Sequence, residues 1–335
     1  MKKLLYISFI LFYFLNNASG QDIHWSQFDY NPVFQNPANL GQFNDGDFRF
    51  HANYRDQWRS VTVPFQTFSV SADAKSVFHD NLSLGAFFFS DITGDGAFTT
   101  IEILPSASWL FKLTPDSVHT MRLAGQFGLN YRQFNADAFT FDSQWNGVAF
   151  DPSLSTNEMF MSQSRSNGTF GIGTSYEYFI TDRKRITTGI GLFNINRPNH
   201  GFFGEDIPRN RRFNFFVNAQ HRLNDKWDIL PSLQFNFQGT YREMVIGSRM
   251  RYILVNEARD YKAIVMGVYS RLGDAAYIMT GIEWQNWWGG ISYDINYSSL
   301  TPASRARGGV EFSVRYILKT IKKSNTIYRV CPDYI

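Results

Sequence analysis

The sequence predicts an all-β chain: a transmembrane, antiparallel, up-and-down β-barrel of about fourteen strands, with short periplasmic turns and longer extracellular loops. Three observations point there: an aromatic-rich composition without long apolar runs, a period of two along most of the chain, and a regular alternation of short and long connections. Of the 335 residues, 44% are hydrophobic and 17% aromatic, with 33 Phe, 17 Tyr and 8 Trp, and only 18% are charged. Mean hydropathy is nonetheless negative, at -0.28. Beyond the N-terminus no stretch approaches the roughly 18 uninterrupted apolar residues of a spanning helix. A strand that turns one apolar face to lipid and one polar face to a wet lumen reconciles these properties.

The alternation is direct. Trp227, Ile229, Pro231, Leu233, Phe235 and Phe237 share one face of a strand whose other face carries Asp228, Leu230, Ser232, Gln234, Asn236 and Gln238. Phe48, Phe50, Ala52 and Tyr54 oppose Arg49, His51, Asn53 and Arg55, and Val310, Phe312, Val314, Tyr316 and Leu318 oppose Glu311, Ser313 and Arg315. Charged groups on the polar face suit a lumen better than the outside of a soluble sandwich, whose strands stop at about 5–6 residues.

Candidate strands start near residues 47, 65, 81, 98, 118, 168, 186, 211, 227, 242, 261, 276, 289 and 309. An even count puts both barrel ends on the periplasmic side, so even-numbered connections should be short. Lys75–Asp80, Leu113–Ser117, Asp182–Arg185, Asn224–Lys226, Val255–Asp260 and Trp287–Trp288 fit that rule. The long connections Arg55–Pro64, Phe134–Asn167, Asn196–Asn210 and Ser298–Gly308 all fall on the outside.

Four regions follow. Lys2 and Lys3, the apolar run Leu4–Leu15 and the small residues Ala18-Ser19-Gly20 form a secretory signal peptide over residues 1–20. Residues 21–46 are an N-terminal periplasmic or plug segment, 47–318 the barrel, and 319–335 a C-terminal periplasmic tail, read either as a plain tail or as a plug or docking peptide. The single Cys331 provides no internal disulfide, and a net charge of +3 with no basic-aromatic stripe points away from nucleic acid.

Few residues carry chemistry. Asp91-Ile92-Thr93-Gly94-Asp95-Gly96 lacks the acidic spacing of a calcium loop and reads as a tight extracellular turn, with weak surface calcium binding left open. The six His residues make no metal-ligand pattern and no nucleophile elbow is present, so no catalytic, metal or cofactor site is expected. Trp284, Trp287 and Trp288 flank a periplasmic turn, where an aromatic girdle would sit; a sugar- or peptide-binding patch is the rival. Arg49, Arg122, Arg132, Arg315, Glu177, Asp294 and Glu311 face the lumen, and their mixed signs favour internal pairing and a plugged barrel. The long outer loop carries Phe139, Phe141, Trp145, Phe150, Met159, Phe160 and Met161. So many large apolar groups either fold into the barrel mouth or meet another protein.

The end segments carry a resemblance. Gln27-Phe28, Asn31-Pro32, Gln35-Asn36-Pro37-Ala38 and Gly41, then Tyr54-Arg55-Asp56-Gln57-Trp58-Arg59, Pro64 and Thr67, resemble the opening blocks of the PorP/SprF family, outer-membrane proteins of the type IX secretion system of Bacteroidetes. Tyr293-Asp294, Gly309 and Glu311 are similar to its closing hairpin, and Cys331-Pro332 to its ending. The resemblance implies a barrel embedded in outer-membrane lipid, without enzymatic activity. It implies a role in exporting or retaining a large, adhesin-like, gliding-related surface protein that bears a C-terminal sorting domain, together with other type IX components. The fold alone also admits a porin or hydrophobic-solute channel.

Overall fold

The computed structural model describes residues 22–59, 63–158, 162–202, 204–257, 260–298 and 301–320. Residues 1–21, where the signal peptide is expected, the segment beyond Thr320, and Met159, Phe160 and Met161 of the outer loop lie outside them. Fourteen strands close into one antiparallel barrel in which every strand pairs with its sequence neighbours, and the first pairs with the last. They are β1 (Phe48–Gln57), β2 (Phe65–Ala74), β3 (Leu82–Thr93), β4 (Phe98–Lys112), β5 (His119–Gln133), β6 (Ser164–Thr181) and β7 (Lys184–Phe193). The second half comprises β8 (Arg212–Arg222), β9 (Trp227–Gln238), β10 (Tyr241–Glu257), β11 (Asp260–Arg271), β12 (Ala275–Trp284), β13 (Trp287–Asn296) and β14 (Arg307–Leu318). Among the described residues no helix is long and apolar enough to cross a membrane.

Closure follows from period two. Phe48, Phe50 and Tyr54 of β1 point outward, while Arg49, His51, Asn53 and Arg55 are buried inside. Across the seam, Phe50 meets Tyr316 and Tyr54 meets Phe312, apolar against apolar on the lipid face, while Arg55 meets Glu311 on the lumen face. A slip of one residue would reverse every such pair, so the pattern fixes the register. With no open edge, every strand finds hydrogen-bond partners on both sides, which the hydrocarbon region demands.

The strand count and order match the sequence expectation; several boundaries do not. β6 starts at Ser164, four residues earlier than its pattern suggested, because Ser164, Arg165, Ser166 and Asn167 pair with Gln133 back to Asn130. The outer loop is correspondingly shorter. The turn placed at Trp287–Trp288 is Gln285–Asn286, with Gln285 at a φ of 52°, and both tryptophans belong to β13. β10 runs on to Glu257, accommodated by a bulge between Ile253 and Val255. In β4 the pairing with β5 skips Leu104 and Pro105, since proline has no N–H to give the ladder.

Residues 22–46 fill the lumen. Three short helical turns, Phe28–Tyr30, Pro32–Gln35 and Pro37–Asn39, cross it, and every residue from Asn31 to Gly41 is buried. Pro32 and Pro37 start their turns where a missing N–H is harmless. The segment packs against two apolar patches of the inner wall. Phe28 and Tyr30 join Val245, Val265, Tyr269, Tyr277, Met279 and Trp288. Trp25, Val33, Phe34 and Leu40 join Phe87, Phe89 and Leu104. The chain enters at the outer end, where Asp22 meets Gln238 at the end of β9, and leaves at the inner end, where Gly46 abuts Ile317 and Leu318.

Candidate functional site

The plug is pinned at three levels, and each pin is a charge taken out of water with a partner. At the outer level, Arg209 binds Asp22 at 2.8 Å and Glu102 at 3.2 Å, and Arg212 lies 3.5 Å from Asp22. Burial alone would raise the Asp22 carboxyl, but Arg209 and then Arg212 outweigh it and hold the pKa down to about 2. The pin is thus complete above the ordinary carboxylate range, near pH 4, and is lost as pH falls through about 2. Hydrogen exchange of the 22–27 amides should show high protection at pH 5 that drops between pH 4 and 2. Protection unchanged at pH 2 would remove Asp22 from this role.

Midway, Arg55 forks between Asp294 at 2.7 Å and Glu311 at 2.9 Å, with all three side chains no more than 2% exposed. Both carboxylates also hold the plug. Glu311 accepts the backbone N–H groups of Ser26 at 2.7 Å and Gln27 at 2.9 Å, and Asp294 accepts the Ser26 hydroxyl at 2.6 Å. Arg271 reinforces the cluster through Glu243 at 3.2 Å, and Asp29 pairs with Arg249. At the inner level Arg49 grips Asp73 at 2.8 Å and donates to the Asn39 carbonyl at 2.9 Å, while Asp73 accepts the Gly41 N–H at 2.8 Å. Arg122 donates to the Gly41 carbonyl at 3.3 Å.

These contacts place six of the motif residues singled out from sequence, Asn36, Pro37, Ala38, Gly41, Asp294 and Glu311, at the plug. Asn36 caps its own turn by accepting from the Ala38 N–H at 2.8 Å, and its amide donates to the Thr174 carbonyl at 3.1 Å. Pro37 and Ala38 lie buried beside it, and the Ala38 carbonyl accepts from Ser175 at 3.2 Å. Gly41 has a φ of 69°, and a Cβ there would strike Ser83; only glycine suits both constraints. Gly173 admits the turn in the same way, since a Cβ would collide with Asn36 Oδ1 and press on Pro37. Gly173→Val is therefore expected to destabilise the seated plug by about 1–3 kcal/mol. Protease protection of residues 22–46 in a urea series would measure it; an unchanged midpoint would contradict that packing.

Other placements differ. Tyr54 faces lipid and touches no part of the plug. Gln57 and Trp58 line a vestibule above the plug, where Trp58 at a φ of 56° sets its ring edge-on to Phe65 at 4.8 Å; Pro64 is half-buried just before β2. Trp284 and Trp287 are exposed on the outer surface at the inner rim. Trp288 is a correction to the girdle reading. It points inward, is 1% exposed, stacks on Tyr30 at 4.4 Å and donates to Ser313 at 3.0 Å. Adjacent residues of a strand face opposite ways, so Trp287 and Trp288 could not share one girdle. Gly281 and Gly290, paired across β12 and β13, open the slot for its ring.

The lumen charges are paired rather than free for the most part. Arg315 approaches Glu283 at 3.8 Å, and Glu177 lines the inner vestibule. Sequence reasoning missed Asp22, Asp73, Glu102, Arg209 and Arg271. Asp73 and Glu102 sit at inward positions of alternating strands and were findable; Arg209 lies in a loop without periodicity. The plug leaves an outer vestibule of about 860 Å³ and an inner one of about 1040 Å³, which share no lining residue.

Above the barrel, the long loop divides its aromatic groups. Phe139 packs with Phe134 at 6.1 Å and Phe141 at 6.5 Å, and Phe134 meets Phe202 at 5.0 Å. Trp145, at 58% exposure, and Phe150 face water across a short bridge, with Val148 between them. Phe160 lies outside the described residues.

An apolar exterior, a charge-paired lumen and a closed sheet define a plugged β-barrel of the outer-membrane class. The chain belongs to the family of type IX secretion system membrane proteins PorP/SprF, which matches residues 17–316. No curated protein matches it. Among solved structures it is similar to the CymD monoaromatic hydrocarbon channel, at 10% identity and a TM-score of 0.48, over 87% of this chain and 93% of that one. The Pseudomonas putida toluene transporter TodX gives 10% and 0.48 over 89% and 95%, and CdiB from Acinetobacter baumannii 7% and 0.42 over 81% and 60%. At these scores the likeness is loose, and the barrel rests on its own strand pairing.

Proposed function

We propose that this chain is a non-enzymatic outer-membrane component of type IX secretion that supports the export or surface retention of one large, adhesin-like cargo bearing a C-terminal sorting domain. Family membership supports the pathway. The observation that carries the rest is the pinned plug: a lumen stopped by buried ion pairs works as a platform rather than a conduit. Its contact surfaces are then the outer loops, with the exposed Phe139, Trp145 and Phe150, and the half-buried Phe141 behind Phe139, as the anchors offered to a partner, since exposed aromatic groups grouped on one loop are suited to recognition. Trp284 and Trp287 serve as interface anchors on the inner rim, and export begins with removal of residues 1–20 as a signal peptide.

In-frame deletion of the gene should abolish surface display of one large neighbouring-gene product while general type IX secretion continues. Normal display of every cargo would sink this reading. Steady single-channel current from the unaltered protein would favour a transport barrel instead.

A further inference from the structure

The outer vestibule has a wall that the plug does not use. Strand pairing sets Thr67, Asp91, Thr100 and Arg132 in one row across β2, β3, β4 and β5. Directly paired residues share a face, and strands lie about 4.8 Å apart, so the Asp91 and Arg132 backbones are roughly 10 Å from each other. Asn130 stands one step deeper on β5, opposite Glu102. Asp91, Asn130 and Arg132 line the vestibule together with Trp58, Phe65 and Phe98.

Each of the three polar groups lacks the partner its setting calls for. Asn130 is 2% exposed, and neither its Nδ2 nor its Oδ1 makes a hydrogen bond. Buried amides are almost always satisfied, so a doubly unpartnered one on a cavity wall marks a place for a ligand or water. Arg132 donates to His200 Nδ1 at 2.7 Å and lies over the Phe98 ring at 4.6 Å, with no carboxylate in ion-pairing range among the described residues. His200 gives it no countercharge. Burial, then Arg209 and Arg132, push the imidazole pKa down to about 3, which leaves it neutral with Nε2 unpartnered. Asp91 accepts one bond, from Thr67 at 2.6 Å, and faces no cation among the described residues.

We propose that this wall binds a short peptide laid across the row, whose end backbones stand about 10 Å apart: carboxylate on Arg132, ammonium on Asp91, a backbone amide on Asn130 and a side chain among the aromatic rings of the vestibule. An extended tripeptide spans about 10 Å. A neutral sugar would satisfy Asn130 and the rings but leave both charges unpaired, and an apolar solute would satisfy none of the polar groups. The site stands independently of any role in secretion, because a free oligopeptide and a segment of a displayed protein offer the same chemistry.

Calorimetry on the full chain in detergent tests this with six probes: free Ala-Phe-Ala, the same tripeptide acetylated, amidated or capped at both ends, a capped pentapeptide with internal Lys-Phe-Asp, and maltotriose. Saturable binding of the free tripeptide is expected, and capping either end should weaken it about tenfold or more, as loss of a charge-assisted pair does. Arg132→Gln should remove the penalty of amidation alone, and Asp91→Asn that of acetylation alone. Tighter binding of the pentapeptide would identify a protein segment as the source, and tighter binding of the tripeptide a free oligopeptide. The proposal is overturned if neither peptide saturates up to about 10 mM, if double capping on the unaltered protein changes nothing, or if maltotriose binds as tightly.

Discussion

Replacing Arg55 with alanine is expected to destabilise the seated plug by about 3–5 kcal/mol, the scale for stranding one side of a buried ion pair. The reason is specific. Glu311 would remain inside the barrel with its cation gone and Asp294 with only Arg271 at 3.6 Å, and Glu311 is also the acceptor for the Ser26 and Gln27 N–H groups. Two buried carboxylates close to each other repel once Arg55 no longer lies between them. The plug would then lose its middle pin while the strand ladder of β1 with β2 and β14 stays intact. Limited proteolysis should cut residues 22–46 in the variant under conditions that spare the parent. Arg55→Lys should fall between the two, since a single ammonium cannot reproduce the fork. A variant as protected as the parent would show that the clamp contributes little.

Excising residues 22–45 is expected to convert a silent barrel into a steadily conducting one. Among the described residues the plug separates the two vestibules, and β1 begins after it, at Phe48. The barrel should still assemble but melt at a lower temperature. Its inner wall would expose Phe87, Phe89, Tyr277 and Trp288, which are now buried against the plug. Each such ring forfeits on the order of 1.5–3 kcal/mol of burial when left in water. Planar-bilayer recording decides the point: continued silence would mean that another part of the chain stops the lumen.

Architecture was legible in the sequence because it depends on period two, a property of every strand taken alone. Phe48, Phe50 and Tyr54 against Arg49, His51 and Arg55 already state which side faces lipid. What was hidden arises where that period breaks. Phe87-Phe88-Phe89 and Trp287-Trp288 put apolar groups on both faces of a strand, and in each case the inward ring is a contact for the plug. A second apolar face inside a wet lumen is the mark of a protein ligand there, and that was the available clue. The pairing of Arg55 with Asp294 and Glu311 could not be read, because it depends on closing β1 onto β14, more than half the chain away. Motif residues such as Asn36, Pro37, Ala38 and Gly41 stood out as a block, but only their contacts with β2, β3 and β6 explain why small, turn-forming types occur there.

The direction in which the plug runs bears on how the molecule is put together. Asp22 lies at the outer mouth and Gly46 at the inner one, so the chain descends through the lumen before the first strand begins. The plug segment thus passes from one mouth of the barrel to the other ahead of the strands that surround it. Closing β1 onto β14 is the most distant pairing in the chain, Phe48 with Leu318, and such contacts form late because the intervening loop must first be gathered. The same two strands supply Arg55 and Glu311. Closing the sheet therefore also completes the middle pin of the plug.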